Sequence, residues 1–203
     1  SSNLYQNKIL AVIREISCNA ADAHTLAGKS HAYIKVHLPT YGEPYFAVRD
    51  FGPSLSDRDV RHLYTTYFSS TKDASNALIG GFGLGSKSPF AVADQFTLTA
   101  WQDGEERSYV CYKDGGVPAI NAIGSQPSTK ETGFEVRVAV PHTAVSSWRV
   151  EAENYFRWWP VAPTINVAGV SGRCVWDVDT TKLRSPVLVD GRPAWSWLEN
   201  IPL

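Results

Sequence analysis

This chain of 203 residues has few cysteines, no long apolar run and no excess of either charge. Cys18, Cys111 and Cys174 are widely spaced and form no Cys-x-x-Cys pair, which argues against a zinc site and favours reduced, mostly buried thiols. The five histidines are scattered, so a histidine-rich metal site is not expected. No apolar run approaches the ~20 residues that span a bilayer, and no signal peptide is recognised. The expected location is the cytoplasm.

The charge balance indicates which partners the protein could attract electrostatically. The 19 basic residues oppose 20 acidic ones, giving a net charge of −1 and no general electrostatic attraction to nucleic acid or an anionic membrane. A hydrophobic content of 43% with 12% aromatic residues is typical of a globular protein with a substantial core. The composition therefore gives no strong signal for nucleic acid or membrane.

The pattern of apolar residues predicts an α+β fold. An apolar face of helical period predicts a long helix over 4–27, and Ser56 with Asp59 predicts an N-capped helix over 56–64. Alternating segments predict a largely antiparallel sheet with helices, a two-layer sandwich. The predicted strands are 32–38, 45–49, 96–101, 107–113 and 134–140, with a turn at Asp103-Gly104.

Pro141 marks the predicted domain boundary. Residues 1–141 form the main domain in this interpretation. Residues 142–203 begin a second domain or a C-terminal extension, with a helix predicted over 144–159 and short strand-like segments after it.

A glycine-rich stretch, Gly80, Gly83 and Gly85, runs into a helix-like segment. Glycines let backbone N–H groups approach an anion closely, and a helix N-terminus adds positive potential. Lys87 adds a point charge at the same end. These features are typical of a phosphate-binding loop, although glycine clusters also form plain turns and surface lysines are mostly solvated.

Glu15 and Asn19 lie four residues apart and therefore share a face of the first predicted helix. A carboxylate can accept a proton from an attacking water, and an amide oxygen is a hard ligand suited to Mg²⁺. The alternative is a solvated glutamate and a polar residue on an exposed helix face.

Asp50 follows the strand 45–49 and precedes Phe51-Gly52. An ionised carboxylate only accepts hydrogen bonds, so Asp50 can receive the amino hydrogen of an adenine, and Gly52 lets the chain pass close beneath the base. The alternative is an ordinary turn at the end of a strand.

Residues 67–82 are polar and small, which is typical of a mobile loop that closes over a ligand. Ser70, Thr71 and Lys72 would then reach a terminal phosphate on closure. The same composition is also common in solvated loops that bind nothing.

Residues 14–24, 48–52 and 80–94, in this order and at these separations, resemble the GHKL ATPase superfamily of gyrases, heat-shock chaperones, histidine kinases and MutL-type proteins. The sequences of the segments at 4–5, 9–15, 64–67, 70–72 and 83–90 are similar to those of phage rIIA-like proteins. The resemblance covers about residues 3–140.

The resemblance implies the GHKL (Bergerat) sandwich and a site for ATP with Mg²⁺. It assigns Glu15 as the general base, Asn19 as the magnesium ligand and Asp50 as the residue that reads adenine. The loop glycines would hold the β- and γ-phosphates. It further implies slow ATP hydrolysis that drives a lid and dimer cycle, ATP and ADP as ligands, a homodimer, an unidentified protein partner and, for a phage protein, the host cytoplasm.

Two positions depart from the family pattern. Ser54 replaces the second glycine of Asp-x-Gly-x-Gly, where φ above zero is expected to be needed, and Phe134 stands where threonine is expected. A shifted register would place Thr132 in the threonine's role. These departures support the alternative of a non-hydrolysing nucleotide-binding or interaction module, a scaffold with a relic fold.

Overall fold

The computed structural model describes residues 2–62, 88–167, 188–189 and 192–193. Within these residues there are three α-helices: α1 (Ser2–Leu26), α2 (57–62) and α3 (Val145–Phe156). Short 3₁₀ helices cover His31–Tyr33, Ser88–Ala91 and His142–Ala144. The strands are β1 (Lys35–His37), β2 (Tyr45–Arg49), β3 (Gln95–Gln102), β4 (Glu105–Asp114), β5 (Val117–Pro127), β6 (Gly133–Ala139), β7 (Thr164–Ile165), β8 (Leu188–Val189) and β9 (Arg192–Pro193).

Seven strands form one open sheet in the order β5-β4-β3-β6-β2-β1-β7. Every neighbouring pair is antiparallel except β1 and β7, which are parallel. Strands β8 and β9 form a separate two-stranded antiparallel sheet. The predicted α+β class with a mostly antiparallel sheet is confirmed, and the architecture is compatible with a GHKL-type sandwich.

The hydrophobic core lies between one face of the sheet and the helices α1 and α3. Alternate residues of β2, β3 and β6 point into it because side chains of a strand alternate between faces. Trp148 of α3 packs against Phe46 of β2 with ring centroids 5.0 Å apart and ring planes tilted by 35°. Cys18 of α1 and Tyr155 of α3 lie within hydrogen-bond distance at 3.2 Å, so the two helices are also joined by a polar contact.

Most predicted elements are present at nearly the predicted positions. Strand β2 has the predicted bounds, and Ser56 caps α2 as predicted, since its Oγ accepts a hydrogen bond from the Asp59 N–H at 3.2 Å. Asp103 and Gly104 join β3 to β4 with φ values of +54° and +78°. Strand β1 is shorter than predicted because a 3₁₀ turn occupies residues 31–33.

Helix α3 and strand β7 lie beyond the predicted domain boundary at Pro141. Their residues nevertheless join the core and the sheet of the preceding segment, since Trp148, Ala152 and Phe156 are fully buried in it. The division of the chain at residue 141 stays a prediction. In the described parts of the chain, no helix is long and apolar enough to cross a membrane.

Candidate functional site

A cleft lies between α1 and the sheet, at the end where β2 passes into the loop before α2. Its cavity volume is about 50 Å³, and it is open to solvent. Its walls are mainly apolar, and Asn19 and Asp50 are the polar side chains among the described lining residues. The lining consists of Ile16, Asn19, Ala20 and Ala23 from α1, Val48 and Asp50 from β2 and its end, Pro53 and Leu55 from the loop, and Phe134 and Val136 from β6.

Asp50 is held in this cleft by backbone hydrogen bonds. Its N–H donates to the Phe134 carbonyl at 2.9 Å, which continues the pairing of β2 with β6 by one residue. Its Oδ1 accepts the Gly52 N–H at 2.9 Å. A carboxylate offers about four acceptor positions. Asp50 therefore retains acceptor capacity for a donor that enters the cleft.

The ionisation of Asp50 is strongly affected by its surroundings. The residue is only 7% exposed. Burial raises the pKa of Asp50 to about 7 from its ordinary value of 3.8, while the Gly52 N–H and the nearby Arg49 charge act in the opposite direction. A buried carboxyl that titrates near neutral pH is typical of a functional site.

Gly52 makes a close approach between the loop and α1 possible. A Cβ atom built on Gly52 would lie 2.5 Å from the Ala23 carbonyl oxygen and 2.8 Å from the Ala23 Cβ. The sequence predicts that Gly52 lets the chain pass beneath a bound base. The structure shows that its lack of a side chain is needed for packing against the helix.

Gly52→Ala should lower the free energy of unfolding by about 1–3 kcal/mol, because the added methyl group meets backbone atoms that cannot rotate away. Urea unfolding followed by circular dichroism measures the loss. Gly42→Ala is the matched control, since a Cβ there has no neighbour within 4 Å. Equal stability of the two variants would contradict the close approach.

The structure describes the surroundings of both positions that depart from the family pattern. Ser54 donates from Oγ to the Gly133 carbonyl at 2.8 Å, and among the described residues Asp103 is the non-glycine residue with positive φ. Position 54 therefore does not need a glycine, and its serine ties the loop to β6. Phe134 lines the cleft, whereas Thr132 is exposed and is not among the described lining residues, so a role for Thr132 stays a prediction.

Glu15 and Asn19 lie on α1 as predicted, one turn apart. Asn19 is partly buried and lines the cleft, but Glu15, also partly buried, is outside the described lining. The other predicted site residues lie outside the described part of the chain, so their roles stay predictions. They are Ser70, Thr71, Lys72, Gly80, Gly83, Gly85 and Lys87.

The donor set of the cleft decides what metal it could hold. Among the described residues, no group of three or more histidine, cysteine, aspartate or glutamate side chains is placed to bind an ion. Asn19 offers one amide oxygen in the cleft. This suits Mg²⁺, which keeps several waters and is commonly bound by one or two protein ligands together with substrate phosphates.

The loop that follows Asp50 is held by contacts that the sequence interpretation did not assign. Lys29 donates from Nζ to the Phe51 carbonyl and to Glu131 Oε1, both at 2.6 Å. His24 accepts the Phe51 N–H at 2.8 Å through Nε2. His24 ends the segment 14–24 that resembles the GHKL superfamily, whereas Lys29 lies just beyond the first predicted helix and has no sequence signal for its contacts.

Comparison with known proteins finds bacterial chaperones among the relatives of this chain. The chain is similar to the chaperone protein HtpG of Rickettsia canadensis (strain McKiel), with 33% identity over 159 residues that cover 67% of this chain and 25% of that protein. HtpG of Rickettsia typhi (strain Wilmington) is 31% identical over 153 residues, covering 64% of this chain and 24% of the relative. HtpG of Rickettsia prowazekii (strain Madrid E) is 30% identical over 153 residues.

The chain thus spans about a quarter of the length of the curated relatives it matches. No model of a protein family matches it. Heat-shock chaperones belong to the group that the sequence motifs resemble, so the similarity supports a relation to the GHKL-type proteins at this general level. It does not support the finer resemblance to phage rIIA-like proteins.

Proposed function

We propose that this chain is a GHKL-type domain that binds ATP with Mg²⁺ in the cleft between α1 and the sheet and hydrolyses it slowly. The observation that carries the proposal is Asp50, a buried carboxyl in a mainly apolar cleft that, among the described residues, retains acceptor capacity beyond its hydrogen bond from the Gly52 N–H. The flat face of a base would contact the apolar walls, and its exocyclic amino group would supply the donor that the carboxylate lacks.

The polarity of Asp50 would also select the base. Adenine presents an amino donor at the position where guanine presents a carbonyl acceptor. An acceptor-only carboxylate would pair with the first and repel the second. The cleft should therefore prefer ATP and ADP over GTP and GDP.

In the hydrolytic step, Glu15 would accept a proton from a water as the water oxygen attacks the γ-phosphorus. The bond from the γ-phosphorus to the β–γ bridging oxygen breaks, and ADP leaves with that oxygen. Asn19 would hold Mg²⁺, which neutralises charge on the phosphates when bound. The glycine-rich loop and Lys87 would hold the β- and γ-phosphates, and Ser70, Thr71 and Lys72 would close over them.

The similarity to HtpG and the sequences of the motifs support a proposal for the cellular role. Hydrolysis would time a conformational cycle of a homodimer that acts on an unidentified protein partner in the cytoplasm. The segments at 64–67, 70–72 and 83–90 support a phage rIIA-like protein, which would act in the host cytoplasm. A non-hydrolysing nucleotide-binding module is the second candidate, because Glu15 lies outside the described lining of the cleft.

ATP with Mg²⁺ should raise the melting temperature in proportion to the logarithm of its concentration above Kd, because the ligand binds only the folded state. Differential scanning fluorimetry with ATP, ADP and GTP, each with Mg²⁺ and with EDTA, measures the shift. ATP and ADP should stabilise the protein, GTP should have little effect, and EDTA should weaken the ATP shift. Equal shifts with ATP and GTP would contradict the assignment of the base pocket, and no shift with millimolar ATP would contradict nucleotide binding.

A further inference from the structure

The peptide groups on both sides of Phe51 are held by side chains from the end of α1 and the residues just after it. The Phe51 N–H donates to His24 Nε2 at 2.8 Å, and the Phe51 carbonyl accepts from Lys29 Nζ at 2.6 Å. Phe51 directly follows Asp50, so its N–H belongs to the peptide group that leaves Asp50. These contacts join two parts of the chain that are far apart in sequence but meet at the cleft.

The protonation state of His24 follows from its two partners. Its Nδ1 lies 2.9 Å from the Ser30 carbonyl oxygen, which can only accept, so Nδ1 carries a hydrogen. Its Nε2 faces the Phe51 N–H, which can only donate, so Nε2 carries none. His24 is fully buried, with 0% of its surface exposed. It is therefore a neutral imidazole in the Nδ1–H form.

A second proton on His24 would break this arrangement. Nε2–H would face the Phe51 N–H, two donors would oppose each other, and a buried amide would lose its acceptor. Burial lowers the pKa of His24, and the charges of His31 and Lys29 act in the same direction. The hydrogen bond to the Ser30 carbonyl and the Glu131 carboxylate act in the opposite direction. Asp50 precedes the amide that His24 holds.

The backbone of Asp50 is thus fixed from both sides. Its own N–H is bound to the Phe134 carbonyl at 2.9 Å, and the next N–H along the chain is bound to His24. Fixing both peptide groups fixes the direction in which the Asp50 side chain leaves the backbone. A ligand that depends on Asp50 depends on this orientation, since a pre-organised donor–acceptor geometry lowers the cost of binding.

We propose that His24 is a positioning residue for nucleotide binding, whose neutral imidazole orients Asp50 through the Phe51 amide and whose protonation releases it and weakens binding. The proposal rests on the proposed function of the cleft. It adds a side chain that does not touch the nucleotide, and it makes affinity for adenine nucleotides sensitive to acid.

Two substitutions of His24 separate the hydrogen bond from the bulk of the ring. In His24→Gln, Oε1 stands the same number of bonds from Cβ as Nε2 does, so an acceptor for the Phe51 N–H remains that cannot be protonated at ordinary pH. In His24→Phe, the apolar ring remains but the acceptor is lost. Calorimetry with Mg·ADP at pH 8 should give a Kd for the glutamine variant within about threefold of wild type and a Kd for the phenylalanine variant about tenfold weaker.

The pH profile provides the readout that a purely structural role would not change. As the pH falls from 8 to 5, the wild-type Kd should rise more steeply than that of His24→Gln. Protonation of Asp50 affects both proteins alike, so the ratio of the two Kd values isolates His24. In the unliganded wild type, ¹⁵N NMR of the imidazole should show the Nδ1–H form at pH 8.

The possible results distinguish failure of the role of His24 from failure of the proposed nucleotide site. Equal Kd values for His24→Phe and wild type, a flat ratio over pH, or an Nε2–H form at pH 8 would each overturn the proposal while leaving the cleft assignment standing. Circular dichroism and the melting temperature verify that each variant is folded. If His24→Phe fails to fold, the pH ratio for His24→Gln and the NMR measurement still decide. If Asp50→Asn binds ADP as tightly as wild type, the proposed function fails, and the role of His24 fails with it.

Discussion

Asp50→Asn should abolish adenine nucleotide binding while leaving the protein folded. The two side chains have the same shape, and the asparagine Oδ1 can still accept the Gly52 N–H that Asp50 Oδ1 accepts at 2.9 Å. The other terminal atom becomes an NH₂ donor, which would face the amino group of adenine. Two opposed donors in a buried site should weaken binding by at least about 100-fold, as judged from the cost of unpaired buried groups. Calorimetric titration with ADP and Mg²⁺ measures the change.

The unliganded form of the same variant tests the environment of Asp50. Since its pKa in the folded protein is raised to about 7 from 3.8, the folded state holds more protons between these values and wild-type stability decreases as the pH rises through this window. Asparagine has no charge to bury. The free energy of unfolding of Asp50→Asn relative to wild type should therefore increase by about 2–3 kcal/mol from pH 5 to pH 8.

Urea unfolding at the two pH values measures this difference. A constant difference would show that Asp50 is not buried as the structure has it. Unchanged ADP affinity in a folded Asp50→Asn variant would instead contradict its role in reading the base. Because one experiment concerns the empty protein and the other the complex, burial and recognition are tested separately.

Elements with a strong local pattern could be predicted from the sequence. Strand β2, with three consecutive apolar residues at its centre, has the predicted bounds, and the capping pair Ser56 and Asp59 begins α2 as predicted. Strand β5, at the edge of the sheet, was missed because residues 117–127 contain Pro118 and Gly124 and show no alternation. It exists because β4 provides a partner, and proline is tolerated in edge strands.

In the site, too, residues that belong to a local motif could be predicted, whereas contacts between distant parts of the chain could not. Asp50 and Asn19 were predicted from motifs and both lie in the cleft. The contacts of Ser54 with Gly133 and of Lys29 with Glu131 join positions 79 and 102 residues apart. No local pattern encodes such pairs. Ser54 is an example. As a departure from the family motif it suggested a weaker loop, but its hydroxyl donates a hydrogen bond that holds the loop to β6.

Glu15→Gln should leave nucleotide binding nearly unchanged and reduce turnover by about 10²–10⁴-fold, the usual contribution of a general base. Glutamine keeps the size of the side chain and its place on α1 but cannot accept the proton of the attacking water. Glu15 lies one turn before Asn19 and outside the described lining of the cleft, so its loss should not disturb the base pocket. Phosphate release under saturating ATP with Mg²⁺ measures turnover, and calorimetry measures binding.

Asn19→Ala, one helical turn further along α1, serves as the comparison for Glu15→Gln. It should weaken binding in the presence of Mg²⁺ and have little effect in EDTA, because the amide oxygen is the expected ligand of the ion. Glu15→Gln should show the reverse, with normal magnesium-dependent binding and slow turnover. If wild type and Glu15→Gln hydrolyse ATP at the same rate, Glu15 is not the base. If neither hydrolyses ATP and both bind it, the chain is the non-hydrolysing nucleotide-binding module.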